Sequence, residues 1–370
     1  MNNNIYCIDL GTCNIKVFCK STGKILNEKN TIAIVNKNQM YAYGDVAYAM
    51  YEKAPETIHV TFPIVNGVIA DFNNVQTMIF DFLEARSKGK VHGAEYIVAV
   101  PTDITEVEKK AFFDLFYKSK VKPKNVLLCE KPIADAAGLG LDVNEPTGVM
   151  VVDIGADTTE ISVISLGGLV LSDLLHFGGN RLDESIISYI KRTFNLVIGQ
   201  KTAKALKETL GSGLPGREES MIIVGRDLVS GLPIELEINA QTVYEAIKDN
   251  LSSICNSIKM ILEKTPPEVA RDIIHAGIYI TGGGSLIQGL DELFTQITNI
   301  RVNTCESPEE TVVRGLIKII SDDKYKRLTF NMKIIEVFYE TETKVYISSQ
   351  VFADCPYYPL PGYGLCQLCA

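Results

Sequence analysis

A chain of 370 residues with 46% apolar content is too long for one ordinary core and ample for two domains of roughly 150 to 200 residues each. The net charge of −9, with no cluster of Lys and Arg, excludes nucleic acid as a partner, because affinity for a polyanion comes from cations that displace its counterions. The longest apolar runs, such as Val149–Val152 and Ile278–Ile280, fall far short of the roughly 20 residues of a membrane-spanning helix.

From Met1 to Asn4 there is no basic n-region, so the sequence predicts a cytoplasmic protein without a signal peptide. The first segment, Ile5 to Phe18, predicts strand, tight polar turn and strand, with Asp9 at the bend and Gly11, Thr12, Cys13 and Asn14 in the turn. The pattern returns at Val149 to Ile164, with Asp153 at the bend and Gly155, Asp157, Thr158 and Thr159 after it, which is an internal repeat. Helical periodicity follows each hairpin, at Val75–Arg86 and Thr105–Tyr117 and again at Leu182–Phe194 and Ala240–Leu262, so both halves read as α/β. A third glycine turn, Gly282-Gly283-Gly284-Ser285, leads from the strand Ile278–Ile280 into a helix expected at Leu286–Leu293.

Loops are expected at Asn36–Gln39, Asp142–Gly148 and Gly211–Gly216. After Ser321 the character changes, and the segment from Pro356 to Tyr363 cannot be helical. The nine cysteines are scattered and read as reduced, several of them buried in strands. Only Cys366 and Cys369 have metal-like spacing, and with Cys355 alone nearby they make a poor zinc site.

The two bends suit magnesium, which takes one or two carboxylates, keeps waters and finishes its shell with phosphate oxygens. Asp9 and Asp153 would face one another across a cleft, and the turns would offer phosphate donors from Gly11, Thr12, Asn14, Gly155, Thr158 and Thr159. A single Asp-Gly turn is common; its duplication together with the turn at Gly282–Gly284 is not.

These three turns resemble the phosphate-1, phosphate-2 and adenosine motifs of the actin, sugar-kinase and heat-shock ATPase superfold. Asn66 to Phe72, Ile104 to Lys109, Gly225 to Pro233 and Glu263 to Glu268 are similar to segments of the MreB family of bacterial actins, and they extend the resemblance over about Ile5 to Ser321. The resemblance implies an α/β, actin-like fold: duplicated RNase H-like cores around a nucleotide cleft, each with a small subdomain. The halves would be 1–145, with an insertion at about 31–63, and 146–321, with an insertion at about 179–240; residues 322–370 would form a C-terminal extension. A helix near Glu309–Ile320 would close the hinge.

By the same resemblance the ligands would be ATP or ADP with magnesium, the latter held through water by Asp9 and Asp153. The nucleotide site would comprise Asp9, Gly11, Thr12, Cys13, Asn14, Asp153, Gly155, Asp157, Thr158, Thr159, Lys204, Lys207, Gly282, Gly283, Gly284 and Ser285. The chain would assemble with itself into paired filaments, with paralogous actins as further partners, and would serve cell shape at the inner face of the membrane.

Three departures from the family pattern stand out. The glutamate that positions the attacking water, directly before the proline of the interdomain helix, is here Lys131, which cannot accept a proton while charged; Glu130, one residue back, is turned by roughly 100°. Lys131 and Thr158 are thus the candidate catalytic positions, with hydrolysis weak or absent. Two phosphate-2 glycines are Ala156 and Asp157, and Lys131 has two possible partners, Asp157 or Asp135 one turn on. Lys204 stands where a ribose-contacting glutamate is usual, while Lys207 is kept beside the adenine; both lysines also fit the solvated face of an amphipathic helix. This divergence and the absence of Trp resemble extra MreB paralogues of wall-less bacteria.

Neither an amphipathic N-terminal helix nor a pair of large apolar loop residues, by which the family attaches to membranes, is evident in the sequence. The matching loop, Arg86 to Ala94, is basic, which suits either weak contact with anionic lipid or a solvated loop. The leading expectation is a filament protein that binds nucleotide and hydrolyses it poorly; the alternative is a hydrolysis-competent ATPase that scaffolds cell-wall synthesis. A chaperone would need a peptide-binding domain in the short stretch after Ser321, and a sugar kinase would need a base for which there is no motif.

Overall fold

The computed structural model describes residues 4–36, 39–86 and 91–332. The internal repeat is visible as two five-stranded sheets of identical order. In the first, Lys24–Lys29, Asn14–Cys19 and Ile5–Leu10 run antiparallel, and Glu95–Val100 and Asn125–Glu130 continue the sheet in parallel. In the second, Gly168–Leu175, Thr159–Ser165 and Val149–Ile154 are antiparallel, followed in parallel by Ile278–Thr281 and Val302–Asn303. The central strands Glu95–Val100 and Val149–Ile154 are buried along nearly their whole length and mainly apolar, because both of their faces are covered. Along Val149–Ile154, Met150 and Val152 join the core of the second half, while Val149 and Val151 face the helices between the halves.

Those helices are Lys131–Gly138 and Thr311–Ser321. Pro132 opens the first, where its missing N–H has no bond to lose. Their packed faces bury Ile133, Ala137, Val313, Leu316 and Ile319, and each large aliphatic side chain contributes roughly 1.5–3 kcal/mol. The hinge helix expected near Glu309–Ile320 thus begins at Thr311, after a 3-10 turn at Pro308–Glu310.

Four further helices run Phe72–Arg86, Glu106–Tyr117, Gly179–Phe194 and Ala240–Lys264, close to the periodicity that predicts them. Thr105 caps the second of these: its hydroxyl accepts from Glu108 N–H (3.2 Å) and Glu108 accepts from Thr105 N–H (2.7 Å). One expectation is corrected. No helix fills Leu286–Leu293; a 3-10 turn occupies Gly283–Leu286 and the helix is Leu290–Thr298. The Ser285 hydroxyl donates back to the Gly282 carbonyl (2.7 Å), a local bond that competes with the start of an α-helix.

Each half also carries a three-stranded sheet: Gln39–Tyr43, Ile32–Val35 and Ile58–Thr61 in the first, and Leu196–Val197, Ser220–Asp227 and Pro233–Asn239 in the second. Of the residues after Ser321, the structure describes those to Met332, with a 3-10 helix at Asp323–Leu328 and a bridge from Phe330 to Leu128. The segment from Pro356 to Tyr363, Cys355, Cys366 and Cys369, and positions 87–90 of the basic loop lie outside the described residues. Among the described residues no helix is long and apolar enough to cross a membrane, and Cys7, Cys13, Cys129, Cys255 and Cys305 are free thiols.

Candidate functional site

The two Asp-bearing turns lie at corresponding places in the two sheets. Asp9 and Asp153 each stand one residue before the end of their strand, and both are buried. In the first hairpin Asp9 is registered opposite Lys16, whose ammonium lies 3.2 Å from Asp9 Oδ2. In the second, Asp153 is registered opposite Glu160, but Glu160 accepts from the backbone N–H and the hydroxyl of Thr102. The cation for Asp153 comes instead from Lys131, at 2.6 Å from Oδ2.

Lys131 does not pair with either partner expected for it. Asp157 is turned away, accepting from Asn66 N–H (2.8 Å) and from Asn180 Nδ2 (2.7 Å), and Asp135 accepts from the Thr311 hydroxyl (2.5 Å). Asp157 was expected because it and Lys131 both depart from the family pattern, and Asp135 because it lies one helical turn on; the ion pair that forms is with Asp153. Burial works against the charged form of Lys131, but Asp153, then Asp9, Asp135 and Glu160, outweigh it and hold the ammonium above the ordinary lysine range. Burial and then Asp153 push the Asp135 carboxyl well up, and burial brings Glu160 to about 7 despite Lys131 and the Thr102 bonds. Glu130 faces elsewhere, with Lys109 and Asp103 as the charges that act on it.

Ala156 and Asp157 cost the second turn no strain, because neither has positive φ. The turn closes through Gly155 N–H to the Thr158 carbonyl (2.8 Å), as the first does through Gly11 N–H to Asn14 (3.2 Å). The Thr159 hydroxyl is spent on the Phe177 carbonyl (2.8 Å). The third turn packs on the second: Gly282 has φ +79°, and a Cβ there would lie 2.1 Å from Asp153 Oδ1, so only glycine fits. Gly284 similarly abuts Ile154.

Lys204 and Lys207 lie on the helix Gln200–Leu210. Lys204 Nζ is 3.6 Å from Cys13 Sγ, and Lys29 donates to Asn14 Oδ1 (2.8 Å), so the first turn is ringed by cations. Lys207 is not a solvated lysine: its ammonium bonds the Gly179 carbonyl and Asp183 Oδ1, both at 2.8 Å. Glu52, from the small part of the first half, accepts from Gln200 N–H (2.7 Å) and Lys201 N–H (3.3 Å), capping this helix where its own Gly199 has no side chain to do so.

Sequence reasoning missed three site residues. Asn66 and Gly67 form the two-residue turn of the hairpin Ile64–Val65/Val68–Ile69, and their N–H groups reach Asp157 Oδ2 and Thr12 Oγ1, one residue from each Asp turn. The signal was present as an Asn-Gly dipeptide between apolar pairs. The third, Lys16, lies in the second arm of the first hairpin, and its register opposite Asp9 was the available sign.

Duplicated sheets, two crossing helices and three turns converging on buried carboxylates define an actin-like fold. The sequence profile of the MreB/Mbl protein family matches residues 3–327, and the chain belongs to that family. It is 39% identical over 311 residues to the cell shape-determining protein Mbl of Bacillus subtilis, covering 83% of this chain and 93% of that protein. It is 38% identical over 328 residues to the cell shape-determining protein MreB of Escherichia coli, covering 85% and 92%. The crystal structure of MreB5 of Spiroplasma citri bound to AMPPNP superposes with a TM-score of 0.83 at 33% identity, covering 88% of this chain and 98% of that one. The MamK double helical filament superposes with a TM-score of 0.73 at 22% identity, covering 87% and 99%, which shows the fold alone.

Proposed function

We propose that this chain is a nucleotide-binding, filament-forming actin of the MreB/Mbl family that supports cell shape or motility with impaired or absent hydrolysis of ATP. The observation that carries it is the ion pair of Lys131 with Asp153: the position from which the family's glutamate would orient water holds a charged donor already committed to a carboxylate. The adenine nucleotide would lie against the turns Gly11–Asn14, Gly155–Thr159 and Gly282–Ser285, with Lys204 and Lys207 on the nucleoside side. Nucleotide binding is supported by the relative whose crystal structure contains AMPPNP, and self-assembly by the family.

The chain would work in the cytoplasm, with contact to the membrane limited to anionic lipid at the basic loop, whose first residue, Arg86, is exposed and lies 3.5 Å from Glu28. Calorimetric titration with ATP, run beside negative-stain microscopy and a phosphate-release assay, tests the reading. Binding and filaments with phosphate release near background are expected. A monomer under all salt and nucleotide conditions, or a chain that binds no adenine nucleotide, overturns it.

A further inference from the structure

The two carboxylates that would hold magnesium do not fit that role here, because each already has a cation. Lys16 meets Asp9 Oδ2 at 3.2 Å and Lys131 meets Asp153 Oδ2 at 2.6 Å. The other oxygen of Asp153 is walled by the Gly282 backbone, so close that a Cβ at Gly282 would stand 2.1 Å from Oδ1. Asp9, Lys16 and Asp153 are shielded from solvent, at 4%, 8% and 5% exposed, and the Lys131 side chain is 18% exposed. A hydrated magnesium ion would have to drive an ammonium off a carboxylate and leave a buried lysine without its counter-charge, which is strongly unfavourable.

The arrangement also differs between the halves in a way that argues against accident. The registered partner of Asp9 is a lysine, whereas the equivalent position opposite Asp153 is Glu160, already committed to Thr102. A second lysine in the strand would have removed that anchor. The second cation arrives from a different element, at the first residue of the interdomain helix. An ammonium has three donors, and each of these lysines spends one on a carboxylate, Lys16 on Asp9 and Lys131 on Asp153, which leaves donors for phosphate oxygens.

We propose that the ammonium groups of Lys16 and Lys131 take the place of a divalent cation between Asp9, Asp153 and the nucleotide phosphates, so that this protein binds adenine nucleotide with little dependence on magnesium. The proposal rests on the nucleotide-binding reading above.

The test is calorimetric titration of the full chain with ADP in excess magnesium and again in excess EDTA. The expected difference in Kd is less than about tenfold, or 1.4 kcal/mol. Lys131→Met should bind ADP more than about tenfold more weakly in EDTA than in magnesium, whereas Lys131→Arg, which keeps the charge, should resemble the wild type. Far-UV circular dichroism checks that each variant is folded, and Lys16→Met is the second route to the same magnesium dependence. Wild-type binding in magnesium but not in EDTA overturns the proposal and leaves the nucleotide reading intact. Equal EDTA affinities in wild type, Lys131→Met and Lys16→Met also overturn it. No binding in either buffer overturns the nucleotide reading and this inference with it.

Discussion

Gly138 and Gly315 face each other where the helices Lys131–Gly138 and Thr311–Ser321 cross: a Cβ on Gly138 would lie 2.0 Å from the Thr311 carbonyl oxygen, and one on Gly315 would lie 1.7 Å from that of Ala134. The backbones touch, so the crossing tolerates no side chain at either position. Gly315→Ala should force the helices apart and destabilise the chain by about 1–3 kcal/mol, the usual cost of overpacking a filled interior. Urea denaturation checks this; an unchanged midpoint would show that the helices slide freely.

A second prediction concerns the mouth of the cleft. Glu52 reaches from one half to cap the helix Gln200–Leu210 of the other. Glu52→Ala should remove a cap contribution of about 1 kcal/mol and speed nucleotide release by about fivefold. Stopped-flow displacement of a fluorescent ADP gives the rate. An unaltered rate would mean that this contact does not hold the cleft closed.

A third follows from Glu160. Its folded pKa, near 7, is raised above the ordinary 4.5, so the proton it keeps favours the folded state fully below about pH 4.5, and that contribution is lost as pH rises through 7. Glu160→Gln retains an acceptor for Thr102 without titrating. Relative to the variant, the wild type should lose stability between about pH 5 and pH 8, by at most on the order of 3 kcal/mol. Parallel denaturation curves for the two proteins across that range would contradict the assignment.

Much of this was legible in the sequence. The two hairpins announced themselves because each combines an apolar strand, an Asp and a polar turn, and their duplication predicted two alike sheets. Four of the helices were visible in 3.6-residue periodicity, within a few residues at their ends. What the sequence could not reveal was tertiary: that Lys131 would turn to Asp153, that Asp157 would be held by Asn66 and Asn180, and that Lys207 would be consumed by Asp183 and Gly179. Each depends on the angle at which separate elements meet. The helix expected at Leu286–Leu293 failed for a local reason, the Ser285 side chain bonding its own turn.

The central claim is that Lys131 suppresses turnover by filling the acceptor position of the cleft. Phosphate release at saturating magnesium and ATP, compared between wild type, Lys131→Glu and Lys131→Glu with Asp157→Gly, tests it most directly. Restoring a carboxylate at 131 should raise the rate by a factor of about 100 or more, the range for one acid-base or water-positioning group. Because Asp157 is bonded to Asn66 and Asn180 rather than to Lys131, the added Asp157→Gly change should give little beyond that. Wild-type release as fast as that of Lys131→Glu would contradict the account.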